Sequence, residues 1–142
     1  MFSKTDVVYI AGPMTGKRMF NYPIFYGYAA LIEKEYGCKV LNPARQPNGK
    51  RYEEYLRLAM EDVKQATAVV MLDGWIFSNG ATSEYNAAIK RGVRSVLEHE
   101  LVAALDEKMR KENANARNTL ILQKSRNAEA ALISSSRSWA KP

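Results

Sequence analysis

Residues 68–73 read Ala-Val-Val-Met-Leu-Asp, a continuous apolar run that ends in a carboxylate. Such a run is typical of a strand that is buried on both faces, as strands of parallel sheets are. Residues 6–11, 38–41 and 93–97 form further short runs rich in apolar residues. Together these runs predict a parallel sheet of four to five strands.

Segments with helical spacing separate the predicted strands. Asn21 is a good N-cap and Pro23 suits a first turn, so a helix is predicted from there to Gly37, which ends it. Residues 51–67 and 83–91 are predicted to form the next two helices. Strands that alternate with helices predict an α/β fold with right-handed crossovers.

Three loops are predicted to lie where such sheets bind ligands. Parallel sheets bind ligands beyond the carboxyl ends of their strands, at the point where the strand order reverses. The loops at these ends span residues 12–21, 42–50 and 74–82. We therefore expect the functional side chains on or beside these loops.

The last third of the chain has a different pattern. Residues 98–111 and 119–133 each carry apolar side chains at helical spacing, and the polar residues 113–118 are predicted to separate two helices. A polar, basic tail is predicted for residues 134–142. This pattern predicts a core of residues 1–97 and a helical extension of residues 98–142, packed on the core or at an oligomer interface.

Composition excludes several classes of protein. The chain has 142 residues, of which 46% are hydrophobic and 25% charged, as in a globular domain. No apolar run is long enough to span a bilayer, and a single cysteine, Cys38, cannot form an internal disulfide, so a cytoplasmic location is expected. The net charge of +6 is spread along the chain and favours anionic partners.

Glu84 is the first candidate for chemistry. It lies at the predicted start of the third helix, where free N–H groups and the helix dipole would keep its carboxylate ionised and could hold a phosphate. An acid in a first helical turn is also routine capping chemistry, and position alone favours that alternative.

Asp62 and Tyr9 are further candidates. Asp62 interrupts an apolar helical stripe, so it either faces the sheet or marks the edge of the stripe beside Arg57 or Lys64. Tyr9, near the end of the first strand, either belongs to the core or reaches the crevice with its hydroxyl.

Other groups in the predicted loops could bind a ligand. Ser78, Asn79 and Gly80 offer donors ahead of a helix, and Trp75 and Phe77 either stack on a base or anchor their loop. Spacing of histidine and cysteine predicts neither a metal site nor a Ser–His–Asp set, and no cofactor is expected. The available chemistry is therefore that of carboxylates.

Five segments together resemble the nucleoside 2-deoxyribosyltransferase superfamily. They read VYIAGPMTG, the stretch 21–25, VLNPA, EDVKQATAVVMLDGW and SNGATSEYNAA. The resemblance covers about residues 6–96 and includes the small DUF4406-type branch, which is common in phage and bacterial genomes. It implies a flavodoxin-like three-layer sandwich, and it extends to 2′-deoxynucleoside 5′-phosphate N-hydrolases.

The resemblance also implies roles for individual residues. Glu84 would attack C1′ of the sugar, Asp62 would help to protonate the leaving base, and Tyr9 would position the nucleophile. Ser78 would bind the 5′-phosphate. The implied substrate-binding residues are Gly12, Pro13, Met14, Gly16, Trp75, Ser78, Asn79, Gly80 and Ala81.

These residues lead to an expected function. We expect a nucleotide N-glycosidase or deoxyribosyltransferase that acts on a 2′-deoxynucleoside 5′-monophosphate and forms a homodimer or larger homo-oligomer. The alternative is a nucleotide-binding protein of the same fold that sequesters its ligand without catalysis. The scattered basic residues of the last third fit a solvated helix face better than a nucleic-acid site.

Overall fold

The structure is a computed structural model that describes residues 1–139, with side chains described through Ser136. Within these residues four strands alternate with four long helices. Their bounds are β1 Val7–Ala11, α1 Tyr22–Tyr36, β2 Lys39–Leu41, α2 Tyr52–Gln65, β3 Ala68–Met71, α3 Asn79–Lys90, β4 Arg94–Leu97 and α4 Glu98–Trp139. Across this described part of the chain, no helix has the length and apolar content needed to cross a membrane.

The four strands form one parallel sheet in the order β2-β1-β3-β4. β1 is central, with Tyr9 opposite Leu41 of β2 on one side and Val69 of β3 on the other. The predicted α/β fold with a parallel sheet and a helical C-terminal segment is confirmed.

Helices cover both faces of the sheet. Val8 and Ile10 of β1 pack into a core with α1 and the first turns of α4, whereas Tyr9 and Ala11 pack into a second core with α2 and α3. Alternate residues of a strand point to opposite faces, so each strand contributes to both cores. This arrangement is a three-layer sandwich.

The ends of β1 and β3 approach each other where the strand order reverses. The backbone N–H of Leu72 donates to the carbonyl of Ala11 at 2.8 Å. A Cβ placed on Gly12 would lie 2.7 Å from Cβ of Leu72, so position 12 has no room for a side chain. Glycine therefore allows the two strand ends to meet at the crevice.

The start of α3 differs from its prediction. The helix begins at Asn79 rather than Ser83, because the Ser78 hydroxyl oxygen caps it by accepting from the N–H of Ala81 at 3.2 Å. Glu84 consequently lies in the second turn of the helix, and the expectation of a first-turn acid was wrong.

The C-terminal end of α1 matches its prediction, whereas the side chain at its N-terminal end makes a different hydrogen bond. Gly37 ends the helix in the left-handed conformation, with φ of +66°, as predicted. Asn21 occupies the N-cap position, but its side chain does not cap the helix. Its amide instead donates to the carbonyl of Pro13 at 3.0 Å.

The prediction of two C-terminal helices was wrong. α4 runs from Glu98 to Trp139 without interruption, through the residues 113–118 that were expected to break it. This segment contains no proline or glycine, and asparagine lowers helix propensity by only about 0.7 kcal/mol relative to alanine. Part of the predicted tail is also helical, and residues 140–142 lie outside the described residues.

The chain divides into two compact units, Met1–Leu105 and Asp106–Pro142. In the first unit, Leu101 and Leu105 are buried in the core, so this unit includes the first turns of α4. In the second unit, every side chain described from 109 to 136 is exposed. The proposed role of the extension remains a prediction.

Candidate active site

A cavity of about 890 Å³ opens beyond the carboxyl ends of β1, β2 and β3. This volume is within the range of about 300–1,000 Å³ that is common for small-molecule sites. All three loops that the sequence pointed to contribute to its lining, together with one face of α2 and the start of α3. The cavity is thus at the switch point of the sheet, as predicted.

Glu84 and Tyr9 form a buried pair at this cavity. Tyr9 is fully buried on β1, and its hydroxyl donates to Oε1 of Glu84 at 3.0 Å. Tyr9 is therefore both a core residue and a partner of the candidate nucleophile. Burial, followed by the nearby Glu84 carboxylate, raises the pKa of Tyr9 well above its ordinary value, so its hydroxyl stays protonated and remains a donor.

The protonation state of Glu84 differs from the expectation. Burial raises the pKa of this carboxyl from 4.5 to about 8, and the hydrogen bond from Tyr9 opposes only part of that shift. The residue is in the second turn of α3, away from the free N–H groups of the first turn. At neutral pH the carboxyl is therefore mostly neutral, and the expectation that it stays ionised was wrong.

Asp62 lines the same cavity from α2. It is half-buried, so it lies at the edge of the apolar stripe and borders the cavity. Burial, with a smaller effect from Glu61, raises the pKa of Asp62 above its ordinary value. Two carboxyl groups, both with raised pKa values, thus share one cavity.

The start of α3 supplies polar groups to the cavity wall. Ser78, Asn79, Gly80 and Ala81 all line it. The N–H groups of Asn79 and Gly80 belong to the first turn, so they have no acceptor within the helix. Such groups can hold an anion, and the Ser78 hydroxyl can donate to it while its oxygen still caps the helix.

The other predicted binding residues divide into two groups. Gly12, Pro13 and Met14 line the cavity, whereas Gly16 and Trp75 are not among its lining residues. The Trp75 ring packs against Tyr85, with 4.6 Å between the ring centroids. A contact of Gly16 or Trp75 with a ligand remains a prediction.

Aromatic side chains that the sequence analysis did not assign to the site also line the cavity. Tyr52 and Tyr55 lie on the same face of α2 as Ala59 and Asp62. Their spacing of three and four residues is helical, so this periodicity could have placed both tyrosines beside the carboxylate. Phe20 and Tyr22 line the cavity as well, from the segment that follows β1.

The segment before α1 has an unusual backbone. Met19, Phe20 and Asn21 have φ values of +53°, +52° and +63°, respectively. Residues other than glycine lose about 1–2 kcal/mol each in this conformation, although asparagine tolerates it better. Such outliers persist where surrounding contacts fix them and are frequent at functional sites.

Charge around the cavity is uneven. Among the described residues that line it, none carries a positive side chain, whereas Asp62 and Glu84 are acids. Lys17 and Arg18 lie in the loop after β1, and Lys50 and Arg51 directly precede α2. The lining residues can thus bind an anion only through hydrogen-bond donors.

Comparisons with known proteins identify a family that matches more than half of the chain. A family described as "Domain of unknown function (DUF4406)" matches residues 6–97. Among solved structures, the C-terminal domain of a hydrogenase from Pyrococcus furiosus is similar, at 14% identity and a TM-score of 0.34. That match covers 68% of this chain and 93% of the other. No curated protein matches.

Proposed function

Because the chain belongs to the DUF4406 family, a domain of unknown function, we propose its function from the cavity. The protein cleaves the bond between base and sugar in a 2′-deoxynucleoside 5′-monophosphate, either by hydrolysis or by transfer to a second base. The observation that carries this proposal is the pair of carboxyl groups, Glu84 and Asp62, in a cavity with anion-binding donors.

In the first step Glu84 is the nucleophile. Tyr9 holds Oε1 by its hydrogen bond, and Oε2 of the ionised carboxylate attacks C1′. A bond from Oε2 to C1′ forms while the bond from C1′ to the base nitrogen breaks, through an oxocarbenium-like state. The fixed Tyr9 hydroxyl keeps the carboxylate oriented during the attack.

Asp62 is the proton donor to the leaving base. Burial raises the pKa of Asp62, which shifts this carboxyl toward the protonated form that a proton donor needs. The proton passes from Asp62 to the base as the bond to C1′ breaks. Asp62 then accepts a proton from the water that attacks C1′, which releases Glu84 and restores both groups.

The 5′-phosphate is proposed to bind at the start of α3. The hydroxyl of Ser78 and the N–H groups of Asn79 and Gly80 are donors of residues that line the cavity. Since no lining residue in the described chain is basic, these donors carry the recognition of the anion, with the net charge of +6 as a general attraction.

The direct test measures release of free base from each deoxynucleoside monophosphate by chromatography. We expect turnover by the wild-type protein and a loss of several orders of magnitude in Glu84→Gln, which keeps the shape but lacks the nucleophile. Glu53→Gln is the matched control, because Glu53 is an exposed acid of α2 outside the cavity lining. Near-wild-type turnover by Glu84→Gln would end the assignment of the nucleophile.

A binding measurement separates catalysis from sequestration. If monophosphates bind in calorimetry and no base is released with or without an acceptor base, the protein is a nucleotide-binding protein without glycosidase activity. If no monophosphate binds at all, the proposal as a whole is wrong.

We propose in addition that the protein self-associates through the second unit. Ile121, Ser125, Ala128 and Leu132 form one stripe of α4, and the two large apolar members are 60% and 69% exposed. An exposed apolar stripe on a helix can be buried against the same stripe of an identical helix. A second copy of this chain is therefore the proposed partner.

A further inference from the structure

The strained segment before α1 presents an aromatic ring to the cavity. Phe20 lines the cavity although its own backbone and both neighbours have positive φ. Its side chain is 59% exposed and that of Met19 is 65% exposed. Burial of these side chains therefore does not compensate for the strain in their backbone.

Hydrogen bonds hold the base of this segment in place. The Asn21 amide donates to the carbonyl of Pro13 at 3.0 Å, and the N–H of Phe20 donates to the carbonyl of Lys17 at 3.0 Å. The ring of Tyr22 lies beside that of Phe20, with centroids 5.9 Å apart. The backbone is thus fixed while one face of the Phe20 side chain is left for a ligand.

Tyr55 and Phe77, two other aromatic side chains of the cavity, are less suited to contact a ligand. The hydroxyl of Tyr55 donates to the carbonyl of Pro47 at 2.8 Å and accepts from the N–H of Lys50, so Tyr55 supports its own loop. Phe77 is 88% exposed on a short turn and has no neighbouring ring in the described structure to orient it.

We infer that Phe20 is a specificity-determining residue that stacks on the heterocyclic base of the substrate. The inference rests on the proposed function, and it adds that the ring face of the base is recognised by the segment that Asn21 anchors. Aromatic side chains stack on nucleobases, and binding weakens when the aromatic ring is removed. A ligand that offers a planar ring would also bury the exposed phenyl group.

The experiment titrates 2′-deoxyadenosine 5′-monophosphate and 2-deoxyribose 5-phosphate into the protein by calorimetry, in a Glu84→Gln background that prevents turnover. Phe20→Leu should weaken binding of the nucleotide about tenfold. It should leave binding of the sugar phosphate unchanged, because that ligand has no base. Phe20→Trp should bind the nucleotide at least as well as the parent.

A second variant tests the anchor of the segment. Asn21→Asp tolerates positive φ but cannot donate to Pro13, so nucleotide binding should weaken while binding of the sugar phosphate does not. If Phe20→Leu binds the nucleotide as tightly as its parent, the inference is wrong and the proposed function stands. If the parent binds neither ligand, the proposed function fails, and the inference that depends on it fails as well.

Discussion

Glu84 makes the stability of the protein dependent on pH. Its pKa is about 8 in the folded protein against 4.5 for an ordinary glutamate, because burial favours the neutral form. Between these pH values folding requires uptake of a proton, so the free energy of unfolding falls as pH rises from about 4.5 to about 8. The expected loss is on the order of 5 kcal/mol, after which the curve levels off.

Glu84→Gln should remove most of this dependence, because glutamine is neutral at every pH and can still accept the hydrogen bond from Tyr9. Denaturant unfolding of both proteins between pH 5 and pH 9 measures how their free energies of unfolding change with pH. We expect the variant to be the more stable protein at pH 8.5, although it has lost activity. Curves for the two proteins that stay parallel across this range would show that the pKa of Glu84 is not raised.

The same carboxyl sets the pH profile of the proposed reaction. Only the ionised form attacks C1′, and at pH 7 about one site in ten is ionised when the pKa is about 8. In Asp62→Asn, which lacks the second titrating carboxyl, we therefore expect kcat/KM to rise about tenfold per pH unit below pH 8 and to level off above it. A decrease in this variant between pH 7 and pH 9 would instead identify Glu84 as the acid of the reaction.

At the scale of elements, Ser78 has two tasks at the start of α3. Ser78→Ala removes the cap on the Ala81 N–H, which should cost about 1 kcal/mol of stability. It also removes a donor to the proposed phosphate, and a hydrogen bond to a charged group contributes about 1.5–3 kcal/mol. Calorimetry should thus show a loss of at least tenfold in affinity for monophosphates.

Ser83→Ala is the control for this prediction. Ser83 is on the same helix, donates to the carbonyl of Asn79 and is not among the cavity-lining residues. We expect its affinity for monophosphates to equal that of the wild type. Equal binding of nucleosides and monophosphates by the wild-type protein would contradict the proposed phosphate site.

α4 contains apolar residues of unequal importance. Leu101, Leu105 and Met109 have the same spacing in the sequence, but only the first two are buried in the core. Leu101→Ala should cost about 2–5 kcal/mol of unfolding free energy, because it leaves a cavity in a packed interior. Met109→Ala, at an exposed position, should cost less than about 0.5 kcal/mol, and denaturant unfolding distinguishes the two.

At the scale of the whole molecule, self-association is the property to measure. Replacing Ile121 and Leu132 together by glutamate places charges on the apolar stripe of α4, so we expect light scattering to report a smaller assembly than for the wild type. Gln123→Glu combined with Ala130→Glu adds the same charge away from the stripe and should leave the mass unchanged. A wild-type monomer of 16.0 kDa at micromolar concentration would contradict the proposal.

Much of the architecture was predictable from local patterns. The apolar run at residues 68–73 predicts a buried strand because burial on both faces requires apolar side chains at every position. The same logic made Asp62 a candidate, since a carboxyl within an apolar stripe either needs a special environment or marks the edge of the stripe. Periodicity and turn residues are local features, so they can be recognised in the sequence without knowledge of the fold.

The remaining features depend on contacts between distant parts of the chain. Burial of Glu84 results from packing of α3 on β1, and no local pattern reports it. The positive φ values of Met19 and Phe20 have no sequence signature, because neither residue favours that conformation. The continuous α4 was missed because a polar composition was taken as a break, whereas helix propensity was sufficient.

The close approach of Gly12 to Leu72 has a consequence for how this protein can vary. The nearest atom to a side chain at position 12 is Cβ of Leu72, which every residue except glycine carries. Exchanging leucine for valine, methionine or alanine therefore gives no relief at position 12. In a selection of random variants for folded protein, position 72 should accept several apolar residues, while position 12 should yield glycine alone.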